Sequence, residues 1–351
     1  IIKYSNHGQS MRSIPFKLPN KYWYSIVVRI SYGFVFGSIP WILTSCDKPT
    51  IDCDPNKELP RRITYTKVCE PHLGVMPTID CSEGVLIPLT VNGEDVWKPQ
   101  DNFDCDHHSM QEGQCMPGAT VVRKIGKDAA GNPLNHVVWL GFCRPEQLDE
   151  VDGPGSLVVV APDIDIIGYN SETGATCMLA TDVGGIPKDT SEGTPWKAEG
   201  VLPGSDDPRF DEMVKLERTE ECAECHQSTP FIHSPWIDGA RMPDNPEEPV
   251  VPIVSGPNAP YWLLGTDHRR ILTPHIENNG CVSCHRFPSR TEALFRENGW
   301  VASEHMPPHD PGSLSEDHQA MLNCLQTGPE NTPGCDWISP PAGECEGEIA
   351  Q

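Results

Sequence analysis

The sequence predicts an α+β fold: a disulfide-rich, mainly antiparallel β domain over 46–206, then a domain of short helices and loops over 207–351. Three observations carry this. The apolar pattern changes period near residue 207, from short alternating runs to stripes at helical spacing. Pro and Gly are abundant, 36 and 30 of 351 residues, which favours short elements joined by loops over a helical bundle. Beyond the paired motifs described below and Cys46 in the N-terminal segment, the chain carries Cys53, Cys69, Cys81, Cys105, Cys115, Cys143, Cys177, Cys324, Cys335 and Cys345. Ten is an even number, as disulfide pairing in an oxidising compartment requires.

The N-terminal segment reads as a leader. From Ile1 to Ser45 there is no Asp or Glu, while Lys3, Arg12, Lys17, Lys21 and Arg29 are basic. The apolar run Ile30–Leu43, interrupted by Gly33, Gly37 and Pro40, leads into Leu43-Thr44-Ser45-Cys46. Basic, apolar and small-residue regions in that order form a secretory signal. Arg29 leaves the apolar run short for a membrane span, which weighs against an uncleaved anchor. The expectation is a signal peptide over 1–45, with Met11 as a start that would leave 1–10 untranslated. Leu43–Cys46 resembles a bacterial lipobox. That resemblance implies cleavage before Cys46, lipidation at Cys46, and a tether that does not cross the bilayer.

Strand-like runs follow at Gly84–Val91, Ala119–Ile125, Val137–Phe142 and Ser156–Val160, bounded by Gly, Pro and Asn. Asp165–Tyr169 and Ala175–Thr181 flank a turn at Asn170–Gly174. Trp97 and Trp139 are expected in or near the core. The Asp-rich stretch Asp101–His108 reads as a solvated turn, because it lacks the ligand spacing of a calcium loop. Cys105 and Cys115, and two of Cys324, Cys335 and Cys345, are near enough to pair. Thr194–Asp206 is rich in Gly and Pro and reads as a linker. Beyond it, helices are expected at Pro208–Glu221, Arg269–Asn278, Ser289–Asn298 and Ser315–Gln326. The last has a Ser cap, early Glu316 and Asp317, and Gly328 past its end.

Two five-residue motifs carry the chemistry: Cys222-Ala-Glu-Cys225-His226 and Cys281-Val-Ser-Cys284-His285. C-x-x-C-H is the covalent attachment signature of c-type haem. Two thiols one helical turn apart can add to the vinyl groups on one porphyrin edge, and the next residue's imidazole then reaches the iron. A four-cysteine zinc site from the same thiols is the competing reading, but it leaves both histidines unused. The expected cofactors are therefore two covalently bound c-type haems, with His226 and His285 as proximal iron ligands.

The stretch from Cys281 to Gln326 resembles a shortened class I cytochrome c. Cys281, Cys284 and His285 fill the attachment positions, Met306-Pro307-Pro308 resembles the distal-ligand loop, and Ser315–Gln326 stands where the C-terminal helix packs. The segment between His285 and Met306 is shorter than in that family. With the earlier motif, residues 207–326 resemble a dihaem cytochrome c module. The resemblance implies Met306 as distal ligand of the second haem, with His305 and His309 as rivals. For the first haem the candidates are His233, in a proline- and aromatic-rich loop seven residues after His226, then His275, then Met242.

The chain has 50 acidic and 26 basic residues, a net charge of −24. That argues against nucleic acid and anionic lipid surfaces as partners. No triad, phosphate loop or carboxylate pair has persuasive spacing. The expectation is a membrane-anchored dihaem cytochrome c carrying electrons between extracytoplasmic redox proteins, in a bacterial periplasm or at the cell surface. The alternative is a haem enzyme, such as a peroxidase or small-molecule oxidase, with one open haem site.

Overall fold

In the computed structural model, alternation of β-branched and aromatic residues builds four long antiparallel strands, β1 (Thr120–Lys127), β2 (Pro133–Gln147), β3 (Val158–Asn170) and β4 (Ala175–Asp182). The structure describes residues 62–147, 158–182, 188–189, 195–215, 222, 225–226, 228–254, 261–264, 272–306 and 310–338, all within the unit Lys48–Gln351. The expected leader with Cys46, and also Cys53, Cys345 and His309, lie outside the described residues. The sheet runs Val214–Lys215, β4, β3, β2, β1, Val85–Leu86, every neighbour antiparallel. Trp262–Leu263 adds a parallel strand beside β4, and Lys188–Asp189 pairs with β3.

The turn between β3 and β4 forms where the sequence places it. Asn170 Oδ1 accepts from the amides of Glu172 and Thr173, 3.0 and 3.2 Å away, and Gly174 closes the turn at φ 78°.

Because side chains alternate across a strand, neighbours such as Val121 and Val122 or Trp139 and Leu140 serve opposite faces of the sheet. One face packs Val122, Val137, Trp139, Ile164, Ile166 and Leu179 against helix α1 (Arg62–Leu73) and the stretches around Ile79, Leu202 and Phe210. Trp139 fits there because Gly168 opposes it: a Cβ at 168 would lie 2.6 Å from the indole. The other face packs Val121, Leu140 and Tyr169 against Phe231, Trp236, Val250 and Val251. Both clusters therefore join residues from the two sides of position 206.

Four disulfides staple the described residues: Cys69–Cys177, Cys81–Cys143, Cys105–Cys115 and Cys324–Cys335. The first ties α1 to β4, and the last two are among the expected pairings. No described helix is long and apolar enough to cross a membrane.

Several elements differ from expectation. Helix α1 has no sequence counterpart, because it contains Pro71 and buries mainly Thr66, Cys69 and Leu73 among its described side chains. The stretch read as a linker is core: Trp196, Ala198 and Leu202 are buried, and Val201–Leu202 pairs with Ile79–Asp80. Of Pro208–Glu221, Phe210–Met213 is helical and Val214–Lys215 joins the sheet, while 216–221 lie outside the described residues. Within Arg269–Asn278, expected as a helix, 269–271 lie outside the described residues and Thr273–Ile276 is a strand paired with Cys335–Ile338. Pro274 explains it, since proline lacks the amide a helix needs and keeps the preceding residue extended.

Helices α2 (Ser289–Glu297) and α4 (Ser315–Thr327) match the periodicity, and a one-turn α3 (Ala302–His305) lies between them. Ser315 is not the cap that was expected. Its hydroxyl donates back to the Gly312 carbonyl at 2.7 Å. Gly328 ends α4 at φ 78° and returns its amide to the Cys324 carbonyl.

Candidate functional site

The face of the sheet that carries Val121, Leu140, Phe142 and Ile167 floors a cavity of about 1190 Å³, its open mouth included. Phe231, Trp236 and Val251 close the opposite side, and Cys222, Cys225 and His226 stand on its wall. A second cavity, about 900 Å³ with its mouth, has Cys281 and His285 on its wall among Phe287, Phe295 and Leu314. Both walls are mainly apolar, as those of small-molecule pockets are. Phe231 and Ile232 line both cavities and so form the partition between them.

The surroundings of each motif follow from local structure. Thr291, in the first turn of α2, donates its hydroxyl to the Cys225 carbonyl at 2.6 Å. The Tyr261 hydroxyl donates to the His226 carbonyl at 2.6 Å. Burial pushes the His226 pKa down to about 4, opposed in part by the Pro230 and Thr229 backbone. Its Nδ1 is shut off from solvent and lacks a hydrogen bond of good geometry.

At the second motif, Asn279 caps a short 3₁₀ turn, Gly280–Ser283, by accepting from the Cys281 amide at 3.0 Å. Burial pushes the Cys281 thiol up to about 11, with Asp317 and Glu292 adding to the shift. His285 donates from Nδ1 to the Arg286 carbonyl at 2.7 Å, which leaves Nε2 as the lone-pair nitrogen. Burial lowers its pKa, the Arg286 carbonyl resists, and the nearby His233 adds to the lowering.

Polar groups concentrate in the second cavity. His233 donates from Nδ1 to Asp238 Oδ1 at 2.7 Å, and His305 donates from Nε2 to Asp238 Oδ2 at 2.9 Å. Burial raises the Asp238 pKa, but the hydrogen bonds from the two imidazoles outweigh it and the net shift is downward. Glu292 and His318 form another buried pair, 3.0 Å apart. Met306 also lines this cavity.

The residues singled out from sequence distribute as follows. Cys222, Cys225 and His226 line the first cavity, and Cys281, His285, His233 and Met306 line the second. Cys284, of the second motif, is half-buried and lines neither cavity, its Sγ 3.7 Å from the Ser283 hydroxyl. His275, on the strand Thr273–Ile276, lines neither cavity. Met242 packs against the cluster on the second face of the sheet and lines neither.

Met110, which the sequence did not single out, lines the first cavity. It sits inside the Cys105–Cys115 loop. Its carbonyl accepts from Asn298, past the end of α2, at 3.4 Å, and His108 of the same loop stacks on Trp300 with ring centroids 4.7 Å apart. The only signal in the sequence is a methionine in a short cysteine-closed loop, and nothing local places that loop opposite a motif more than a hundred residues downstream.

None of the four disulfides uses a cysteine of either motif. The motif cysteines are also divided between two cavities. Among the described residues no group of three or more His, Cys, Asp and Glu could hold a metal ion by itself, so a four-cysteine zinc site is not assembled. His233 Nε2, buried and without a hydrogen bond, and the imidazoles of His226 and His285 stand at apolar cavities with motif thiols in their walls. That donor set suits a flat apolar macrocycle whose metal takes axial nitrogen or sulfur. No family model, curated protein or solved structure matches this chain.

Proposed function

We propose that this chain is a dihaem c-type cytochrome that carries electrons between extracytoplasmic redox proteins. The observation that supports it is that Cys222, Cys225 and His226 line one apolar cavity and Cys281 and His285 another, with Phe231 and Ile232 lining both. When bound, each haem supplies a one-electron iron couple.

The chain's residues hold and tune that couple. Cys222 and Cys225, and Cys281 and Cys284, are the attachment thiols. His226 and His285 are the proximal ligands, and the His285 tautomer is fixed by its bond to the Arg286 carbonyl. Val121, Leu140, Phe142 and Trp236 in one cavity, and Phe287, Phe295 and Leu314 in the other, keep water from the macrocycle. At the first cavity, Met110 is the only methionine or histidine besides His226 among the lining residues, so its thioether is the distal group within reach. Lipidation at Cys46 would keep the protein at a membrane surface, and the net charge of −24 favours a basic docking partner.

The test is expression in a host with haem-attachment machinery, followed by haem quantitation and EPR. Two haems per chain, both low-spin and six-coordinate, are expected. A high-spin haem that binds cyanide and reacts with peroxide would move the reading to an enzyme. Absence of covalent haem would sink it.

A further inference from the structure

We propose that His233, rather than Met306, is the second iron ligand opposite His285. This rests on the dihaem reading and assigns one of its two sites. His233 and His285 line the same cavity. His233 Nε2 is buried and makes no hydrogen bond. Buried polar atoms are nearly always satisfied, so an orphan on a cavity wall marks a place where something binds.

The other ring nitrogen explains the orientation. Nδ1 gives its proton to Asp238 at 2.7 Å, so the lone pair of the neutral ring sits on Nε2. A carboxylate behind a histidine is the arrangement that fixes the tautomer of metal-bound imidazoles and strengthens them as donors. His233 and Asp238 are 13 % and 9 % exposed at their side chains, and a pair so shielded holds one geometry. A one-turn 3₁₀ helix, Ile237–Gly239, carries Asp238. Ser234 at its entry accepts from the Ile237 amide, so the His-to-Asp spacing of five residues is built into one folded turn.

The rivals in this cavity are engaged or indifferent. His305 commits Nε2 to the other oxygen of Asp238, and His318 commits Nε2 to Glu292 at 3.0 Å. Met306 adjoins His305, and an unligated thioether is as content on an apolar wall as any hydrocarbon. His305 thus acts as a positioning residue, holding Asp238 from the far side.

The consequence is an order of potentials. Bis-imidazole ligation, with an anionic carboxylate behind one ring, lies below imidazole–thioether ligation. The haem on Cys281 and Cys284 is therefore the low-potential centre, whereas Met306 ligation would give both haems a thioether and bring their potentials together.

The experiment compares the wild-type holoprotein with His233→Ala, Met306→Leu and Asp238→Asn by EPR, near-infrared magnetic circular dichroism and redox titration. The wild type should show one bis-imidazole haem. His233→Ala should convert one haem per chain to high spin, and added imidazole should return it to low spin. Met306→Leu should leave both spectra as they were. Asp238→Asn should stay low-spin but titrate at a higher potential.

A wild-type spectrum without a bis-imidazole signal overturns the proposal, even where His233→Ala does not fold. So does a high-spin haem in Met306→Leu, or a His233→Ala protein with both haems still low-spin. A wild-type protein without haem overturns the dihaem reading itself, and it is told apart by the absence of any haem signal.

Discussion

Met110 shows what a single residue of the β region contributes. Its side chain reaches the cavity of the first C-x-x-C-H, and its carbonyl is tied to Asn298. Met110→Leu keeps volume and apolar character, so it should cost less than about 1.5 kcal/mol in stability. It should nonetheless abolish the near-infrared signature of thioether ligation and lower the potential of one haem only. Retention of that band in Met110→Leu would remove Met110 from the site.

Asp106, in the same loop, shows an acidic residue used structurally. Its carboxylate accepts from the amides of Asn92 and Gly93, both at 2.8 Å, in a turn where these residues adopt φ of 54° and 79°. The Gly93 amide, the Thr90 side chain and the Asn92 amide hold its pKa below the ordinary Asp value. A depressed carboxyl stabilises above its unfolded pKa and loses that contribution as pH falls through the folded one. Hydrogen-exchange protection of Asn92 and Gly93 should therefore hold at neutral pH and fade in acid, and Asp106→Ala should show the same loss at pH 7. At this scale the C-x-x-C-H motifs can be read from the sequence because their spacing is local. The place of Met110 in the cavity wall cannot, because it depends on a chain reversal that no neighbouring residue encodes, and the Asp238–His233 bond needs the turn Ile237–Gly239 to form.

Elements divide the same way. β1 to β4 were legible as alternating runs bounded by turn residues, and α2 and α4 as apolar stripes. Thr273–Ile276 was misread because an apolar stripe outweighed Pro274, and the stretch around Trp196 because its Gly and Pro content resembles a linker while its aromatic residue is core. The Cys105–Cys115 loop was legible as a closure in sequence distance but not as part of a cavity wall. Closing a loop with ten residues of separation stabilises by about 3 kcal/mol in the chain-entropy model. Cys324–Cys335 has a separation of 11 and the same expected effect. The pair makes a controlled comparison. Replacing either disulfide by two serines should lower the melting temperature by a similar amount. Only the Cys105→Ser, Cys115→Ser protein should also lose intensity in the thioether band, since only that loop holds Met110. Equal spectra in both variants would mean that the loop keeps its place without the bridge.

The molecule as a whole is organised around one partition. The sequence pattern divides at 206, yet the first cavity takes its floor from Val121, Leu140 and Phe142 and another wall from Cys222, Cys225 and His226. A change in composition along the chain reports which local structure forms, not which surfaces meet. Phe231 is where they meet. It is 2 % exposed, packs edge-on to Tyr169 with centroids 5.8 Å apart, and lines both cavities. Phe231→Ala should cost about 3–5 kcal/mol, the range for truncating a buried aromatic. It should also admit water to both sites, so both haem potentials should move together. Met110→Leu and His233→Ala, by contrast, should each move one potential and leave the other. The three titrations therefore test whether the cavities form one unit joined at Phe231. If Phe231→Ala shifted a single potential, the partition would belong to one site and the two haems would be independent neighbours.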